Sequence, residues 1–318
     1  MAKKQSKKIS EMLASNIKEI ATGITSEKLS AQFFDATKLK YQPEPLYRLD
    51  SNGHRYYYRF ENDEPVFYTS VTTLIKNTLP TQAGLTRWIA DRGMDASQAE
   101  ANERALYGTF LHVECGKLLV DGKYDLDKLP KLLESYLKSN KLPESKMEWA
   151  NDLKKDILAK AQFIIDYNVK PLAVEIGLYH PTDGYAGTLD EVCEMDWKKD
   201  RIRAIIDIKS GKKCFYESHE IQLRAYKFMW NYHFPDANVS NVFNWSPKDW
   251  RKSPTYNLKD QTDSKNAEKL PYLVALAKIE DEKRENKVTI IGGAIDLLSG
   301  LENNVNEYTF IDLIKRNR

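Results

Sequence analysis

Two neighbouring segments of the chain set acidic residues among apolar ones. The stretch "AGTLDEV" (186–192) contains Asp190, and "RAIIDIKSG" (203–211) contains Asp207 and Lys209. Each stretch has the apolar content of a strand, and side chains alternate between the two faces of a strand. Asp207 and Lys209 are therefore predicted to lie on the same face. Carboxylates held together in this way can bind a divalent metal ion, and the lysine can form an ion pair with them.

The polar turn "DWKKD" between the two segments determines which of their residues face each other. If the turn is centred between Lys198 and Lys199, Asp190 lies opposite Asp207. Two facing carboxylates repel each other unless a positive charge lies between them, and a divalent metal ion is the obvious candidate. The other face of the second strand is apolar and consists of Ile202, Ala204, Ile206 and Ile208.

The elements around these acids predict an α/β core with helical additions. The apolar periodicity, the aromatic runs and the capping residues predict the following elements: a hairpin over 54–69, a helix capped by Ser70, helices over 83–120, 144–168 and 264–285, a strand over 171–180, a helix over 219–232 capped by Ser218, and a strand over 238–245. The chain then divides into three parts: a basic tail with a helical extension (1–40), the core (41–247), and a basic loop with a mainly helical extension (248–318).

Composition narrows the function only slightly. The 318 residues carry a formal charge of +2 and the sequence pI is about 8.1, which neither requires nor excludes a nucleic-acid partner. No apolar run approaches the roughly 18 residues that span a bilayer, and the amino end resembles no secretion signal, so we expect a cytoplasmic protein without a membrane partner. The three cysteines, Cys115, Cys193 and Cys214, are spaced for neither disulfides nor zinc, and we expect reduced, packed thiols.

Five ordered motifs resemble the PD-(D/E)XK nuclease superfamily, specifically its RecB-like branch, which includes phage exonucleases. They are "GTFLH" (108–112), "VEIGLY" (174–179), "AGTLDEV", "IIDIKSG" (205–211) and "QLRAY" (222–226). The resemblance covers roughly 65–245 and implies a central mixed β-sheet flanked by helices, the restriction-endonuclease-like core. A D-x-K triplet alone has little specificity, whereas the ordered set is hard to obtain by chance. Leu189 replaces the proline and Asp207 the commoner glutamate, and both variants occur in this branch.

The resemblance also assigns roles to individual residues. It implies a catalytic set of Asp190, Asp207 and Lys209, and a metal site for one or two Mg²⁺ or Mn²⁺ ions formed by His112, Asp190, Asp207 and the Ile208 backbone carbonyl. Glu175 is a further candidate ligand. Gln222 and Tyr226 match a QxxxY helix, whose side chains could hold the substrate backbone or a metal-bound water. We expect no iron–sulfur cluster, since the relatives that carry one need four cysteines, and no bound nucleotide, since the chain lacks a GxxxxGK[S/T] loop.

Each of these residues also has a purely structural explanation. Lys209 could form an ion pair with Asp190 or Asp207, and His112 could be a core histidine. Glu175 could be a charge at a strand end. Gln222 and Tyr226 could make ordinary hydrogen bonds between helix and sheet.

A basic, aromatic segment near residue 250 suggests contacts with single-stranded nucleic acid. It mixes stacking surfaces with phosphate partners, namely Trp245, Lys248, Trp250, Arg251 and Lys252. The alternative is a solvated loop whose aromatic residues pack into the core.

The sequence leaves three classes of function open. The first is a metal-dependent deoxyribonuclease, expected to be an exonuclease in recombination, repair or DNA end processing, of the type found in phages and mobile elements. A helicase or a single-strand annealing protein would be its partner by analogy. The second is a non-catalytic nucleic-acid-binding protein that keeps the nuclease fold. The third is an unrelated, metal-free α/β protein.

Overall fold

The computed structural model describes residues 35–41, 44, 46–51, 54–62, 64–81, 83–211, 215–283, 289–293 and 305–309. Its strands are β1 Tyr47–Ser51, β2 His54–Glu61, β3 Glu64–Ser70, β4 Lys170–His180, β5 Tyr185–Trp197, β6 Asp200–Ile208, β7 Asn241–Lys248, β8 Thr255–Asp260, β9 Thr289–Gly293 and β10 Val305–Thr309. Its α-helices are α1 Val71–Thr78, α2 Ala83–Arg92, α3 Met94–Asp121, α4 Leu129–Ser139, α5 Trp149–Asp166, α6 Glu217–His233 and α7 Leu270–Lys283.

A mixed sheet of eight strands lies at the centre of the fold, as predicted. Its order is β1-β2-β3-β5-β6-β7-β8, and β4 also pairs with β5. The pairings β3–β5 and β6–β7 are parallel, and the others in this sheet are antiparallel. The β5–β6 hairpin turns between Lys198 and Lys199 and pairs Glu191 with Ile206, which is the predicted register. The next positions along this register are Asp190 and Asp207.

Helices cover both faces of the sheet and enclose two apolar layers. On one face, α3, α4 and α5 pack against Ala204, Ile206 and Ile208 of β6, the residues that alternation predicts for that face. On the other face, α1, α6 and α7 pack against Ile205 and its neighbours in β5. Cys115 and Cys193 are free, buried thiols, as expected, whereas Cys214 lies outside the described residues.

Helix boundaries confirm one capping prediction and correct another. Ser70 caps α1, because its Oγ accepts a hydrogen bond from the Thr73 N–H at 3.0 Å. Ser218 does not cap α6, since that helix begins one residue earlier, at Glu217. Among the described helices, none combines the length and apolar character needed to cross a membrane.

The structure describes more of the carboxy-terminal part than of the amino-terminal part. The predicted amino-terminal tail and helix lie outside the described residues, except near 35–40. In the carboxy-terminal part, α7 confirms the predicted helix. The prediction of a loop was wrong for β8, which extends the sheet because Tyr256 and Leu258 pack against the core. The short pair β9–β10 was also not predicted.

One charged pair is buried inside the core between α5 and the sheet. The Lys160 Nζ lies 2.6 Å from the Glu191 Oε2, and the two side chains are 0% and 1% exposed. The ammonium group also lies 4.7 Å from the ring centre of Phe163 and 5.0 Å from that of Trp245. Because neither charge reaches water, each depends on the other for compensation.

Removing one member of this pair should therefore destabilise the protein strongly. We expect Lys160→Met to lower the free energy of unfolding by about 3–5 kcal/mol in urea titrations, because it leaves Glu191 buried without a partner. Lys155→Met, an exposed lysine on the same helix, should stay within about 0.5 kcal/mol of wild type. The double variant Lys160→Met/Glu191→Leu should recover much of the loss. Equal free energies of unfolding for Lys160→Met and Lys155→Met would contradict the buried ion pair.

Candidate metal centre and catalytic cavity

The cavity lies along one edge of β5, in the gap between the stretch that pairs with β3 and the stretch that pairs with β6. Along this edge of β5, strand β3 pairs with Tyr185 and Ala186, and strand β6 pairs with the residues from Glu191 to Trp197. The edge of β5 between these pairings is open, and a cavity of about 390 Å³ lies there. Gly187, Thr188 and Asp190 line it, so the gap in strand pairing exposes the acid of β5.

Three potential metal ligands converge at this gap. The His112 Nδ1 lies 3.5 Å from the Asp190 Oδ1 and 3.9 Å from the Glu175 Oε1, and one ligand atom from each residue lies within 4.8 Å of the others. Their side chains are only 23%, 13% and 20% exposed. One imidazole and two carboxylates form a donor set that suits a divalent cation. The sequence singled out all three residues, and the structure brings them together.

Glu175 reaches this cluster through an unusual backbone conformation. Its φ is +50°, in the left-handed region that residues other than glycine rarely adopt. Ala173 and Ile176, three positions apart, pack in the same core layer, so the alternation of β4 shifts near Glu175. Strand β4 continues to His180, which rules out the alternative of a charge at a strand end. Strained backbone of this kind is typical of functional sites.

His112 faces the cavity from α3, which approaches the end of β6 closely. One turn earlier, a Cβ at Gly108 would lie 3.1 Å from the Ser210 Oγ, so glycine permits the contact at normal spacing. The neighbouring Phe110 and Leu111 point into the core, whereas the His112 imidazole meets the carboxylates. The imidazole thus has acidic partners, and its role as a metal ligand rather than a satisfied core histidine stays a prediction.

Asp207 and Lys209 lie beside the three ligands and begin a chain of hydrogen bonds. The Lys209 Nζ is 2.9 Å from both carboxylate oxygens of Asp207 and donates to the Gln222 Oε1 at 3.0 Å. The Gln222 Nε2 then donates to the Tyr226 hydroxyl at 2.6 Å. The structure thus contains the ion pair that would explain Lys209 structurally, and it contains the helix-to-sheet bonds. All four side chains nevertheless line the same cavity.

Two backbone features support this arrangement. The Ile208 N–H donates to the Asp190 Oδ2 at 2.7 Å, which fixes the carboxylate against the neighbouring strand. The Tyr226 ring packs directly on Gly187, where a Cβ would lie only 2.8 Å from the Tyr226 Cε1. The proposed ligand role of the Ile208 carbonyl stays a prediction.

The electrostatics of the cluster leave Glu175 and Asp207 short of positive charge, whereas, despite burial, His112 and Lys209 lower the pKa of Asp190. Burial would lower the pKa of His112, but Asp190 and Glu175 outweigh it and raise the pKa to about 9. Burial and the charge of Asp190 raise the pKa of Glu175 to about 8. Burial raises the pKa of Asp207 to about 6 despite Lys209. A divalent cation would satisfy these acids, so the donor set fits one.

Part of the cavity wall was not anticipated from the sequence. Arg48 and Arg55 of the β1–β2 hairpin and Arg104 of α3 line it, together with Tyr57, whose hydroxyl lies 3.1 Å from the Thr188 Oγ1. These residues come from distant parts of the chain, and no local spacing links them to the acids. Their guanidinium groups suit the binding of an anionic substrate such as a phosphodiester.

The predicted nucleic-acid contacts near residue 250 differ in how far they are exposed. Trp245 is fully buried on β7 between α5 and the sheet, so its assignment as a stacking residue was wrong. Trp250 is half-buried, and its indole N–H lies 3.5 Å from the Lys155 carbonyl oxygen. Lys248, Arg251 and Lys252 are exposed around the β7–β8 turn, and the described cavity lining does not include them. Their contact with nucleic acid stays a prediction.

Comparison with known proteins yields only remote structural likenesses. No protein-family model and no curated protein matches the chain. The solved structure of a proposed exonuclease from Eubacterium rectale aligns with a TM-score of 0.32 and 11% identity, over 63% of this chain and 94% of that one. The structure of a protein named SSO0001 aligns with a TM-score of 0.26 and 12% identity, over 56% and 86%. These scores are too low to assign a family or a function.

The raised pKa of His112 predicts how stability depends on pH without metal. Because the folded-state pKa exceeds the ordinary 6.5, its stabilisation is fully present below pH 6.5 and is lost as pH rises toward 9. In EDTA, we expect the Tm of wild type to fall more over this range than that of His112→Gln. In His180, burial lowers the pKa, so His180→Gln should behave like wild type above pH 6.5. Equal losses of Tm in wild type and His112→Gln would contradict the predicted charge interaction.

Proposed function

We propose that this protein is a metal-dependent nuclease that hydrolyses phosphodiester bonds in DNA. The convergence of His112, Glu175 and Asp190 beside the Asp207–Lys209 pair, in a cavity that also contains arginines, is the observation that carries this proposal. The choice of DNA, of magnesium or manganese, and of exonuclease action rests on the resemblance of the five sequence motifs.

The residues of the cavity divide into three roles. His112, Glu175 and Asp190 would hold the cation, with Asp207 and the Ile208 carbonyl as further ligands. A bound Mg²⁺ or Mn²⁺ ion would supply charge neutralisation at the phosphate and lower the pKa of bound water. Lys209, held between Asp207 and Gln222, orients the attacking water or stabilises the charge that develops on the phosphate. Gln222 fixes the Tyr226 hydroxyl at the cavity wall.

The ion pair between Lys209 and Asp207 favours a second candidate, a non-catalytic nucleic-acid-binding protein. In such a protein, the lysine would only compensate a buried carboxylate. The two candidates differ in what happens to DNA after binding, which a cleavage assay measures directly.

Metal binding can be tested without activity. We expect MnCl₂ or MgCl₂ at about 100 times the Kd to stabilise wild type by about 2.7 kcal/mol and to raise its Tm. Asp190→Asn should abolish the shift because it removes a charged ligand from the cluster. Glu194→Gln should keep it, because this half-buried acid of the same strand pairs with Arg203 and does not line the cavity. Metal-induced shifts of equal size in wild type and Asp190→Asn would contradict the assigned metal centre.

Cleavage can be tested with end-labelled linear DNA, covalently closed circular DNA and single-stranded DNA, each with Mg²⁺, Mn²⁺ or EDTA. We expect metal-dependent degradation of the linear DNA, no cutting of circles, and a loss of at least about a hundredfold in Lys209→Met. Glu194→Gln again serves as the control. Cutting of circles would identify an endonuclease. Binding of DNA without cleavage under any of these conditions would support the non-catalytic candidate instead.

A further inference from the structure

A buried asparagine lies directly beside the proposed catalytic acid Asp207. Asn244 is the register partner of Asp207 in the parallel pairing of β6 and β7, so the two side chains share one face of the sheet. Asn244 is 0% exposed and occurs within the apolar stretch "VFNW". A polar side chain at such a position requires partners, because an unpaired amide in the core is destabilising.

The partners of Asn244 fix the orientation of its amide group. Its Nδ2 donates to the Asp207 Oδ2 at 2.7 Å, and its Oδ1 accepts from the Gln261 Nε2 at 3.1 Å. Gln261 is itself 4% exposed, and its backbone N–H donates to the Val242 carbonyl at 2.9 Å. With the Gln261 donor on one side and the Asp207 acceptor on the other, the amide has one favourable orientation.

Asp207 is consequently held from two directions. Lys209 contacts both of its oxygens from the cavity side, and Asn244 contacts Oδ2 from within the sheet. The terminal torsion of an aspartate is broad, so a single contact does not determine the plane of the carboxylate. Two donors on different elements do determine it, which is what a group that must present its oxygens to a cation or to water requires.

We propose that Asn244, oriented by Gln261, is a positioning residue that fixes the carboxylate plane of Asp207 for phosphodiester hydrolysis. This inference rests on the proposed nuclease function. Asn244 also compensates the buried Asp207 carboxylate, so the test must separate its contribution to stability from its effect on the reaction.

The test compares Asn244→Leu and Gln261→Leu with Ser246→Ala in the full-length protein. Ser246 is buried two positions along the same strand, and it bonds Asn257 rather than Asp207. Asn244→Leu removes the donor to Asp207, and Gln261→Leu only frees the amide to rotate. With Mn²⁺ and linear DNA, we expect kcat to fall at least about tenfold in Asn244→Leu, and less in Gln261→Leu, with KM unchanged. Ser246→Ala should stay within about twofold of wild type.

Folding defects are separated from positioning by circular dichroism at the assay temperature, which gives the folded fraction of each variant. Loss of kcat beyond the unfolded fraction supports the inference. A kcat in Asn244→Leu that is equal to wild type, once corrected for the folded fraction, would overturn it.

A readout independent of activity is the side-chain amide resonance of Asn244 in nuclear magnetic resonance spectra, assigned by its absence in Asn244→Leu. In wild type, we expect the Asn244 side-chain amide protons to exchange slowly with solvent. In Asp207→Ala, we expect a marked change in their chemical shift. If wild type cuts no DNA but the Asn244 resonance shifts in Asp207→Ala, the proposed function fails and the contact between Asn244 and Asp207 stands. A resonance that is unaffected by Asp207→Ala would overturn the positioning itself.

Discussion

The repulsion between carboxylates that share a site with little water is the constraint on which this structure depends. Glu175, Asp190 and Asp207 approach one another from three adjacent strands, and each is largely or fully buried. In that setting, like charges destabilise the fold unless protons, cations or hydrogen-bond donors compensate them. The surroundings supply such groups from every side: the His112 imidazole, the Lys209 ammonium, the Ile208 N–H and the Asn244 amide.

The same constraint acts on Glu191, the residue that follows Asp190 in β5. Leu189 and Val192, on either side of this acidic pair, pack in the same core layer, so strict alternation is interrupted here. Glu191 is compensated by Lys160 from α5, and Asp190 by His112 from α3. The helices that cover the core therefore also supply the counter-charges, and the stability of the α3–α5 layer and the geometry of the cavity are linked through one strand.

Local patterns predicted those parts of the fold and the site that short-range periodicity controls. Alternation in β6 and the turn between Lys198 and Lys199 predicted the observed register of the β5–β6 hairpin. Spacing along α6 placed Gln222 and Tyr226 in contact. Contacts between distant segments could not be predicted in this way. The arginines of the cavity wall come from β1, β2 and α3, and the left-handed backbone of Glu175 has no sequence signature, because glutamate is an unusual residue there.

The error at Trp245 shows why composition is a weak guide to nucleic-acid contacts. An aromatic residue near lysines and arginines suits base stacking, but alternation along β7 places this indole in the core. Asn244, the preceding residue, is a polar side chain within an apolar strand, and its sequence context alone does not indicate a role. In the structure, it donates a hydrogen bond to Asp207.

The two walls of the cavity belong to parts of the sheet that are joined by a short seam. Arg48, Arg55 and Tyr57 belong to the β1–β3 unit, whose described residues pair with β5 at Thr69 and Ser70 alone. The acids belong to β4–β6 on the other side of that seam. The distance of Arg48 and Arg55 from the acids therefore depends on this seam, together with the packing of Tyr57 and Tyr68 against Tyr179 and Ala186. An insertion or a register change at the β3–β5 junction would alter the width of the cavity without changing the identity of any residue in either wall.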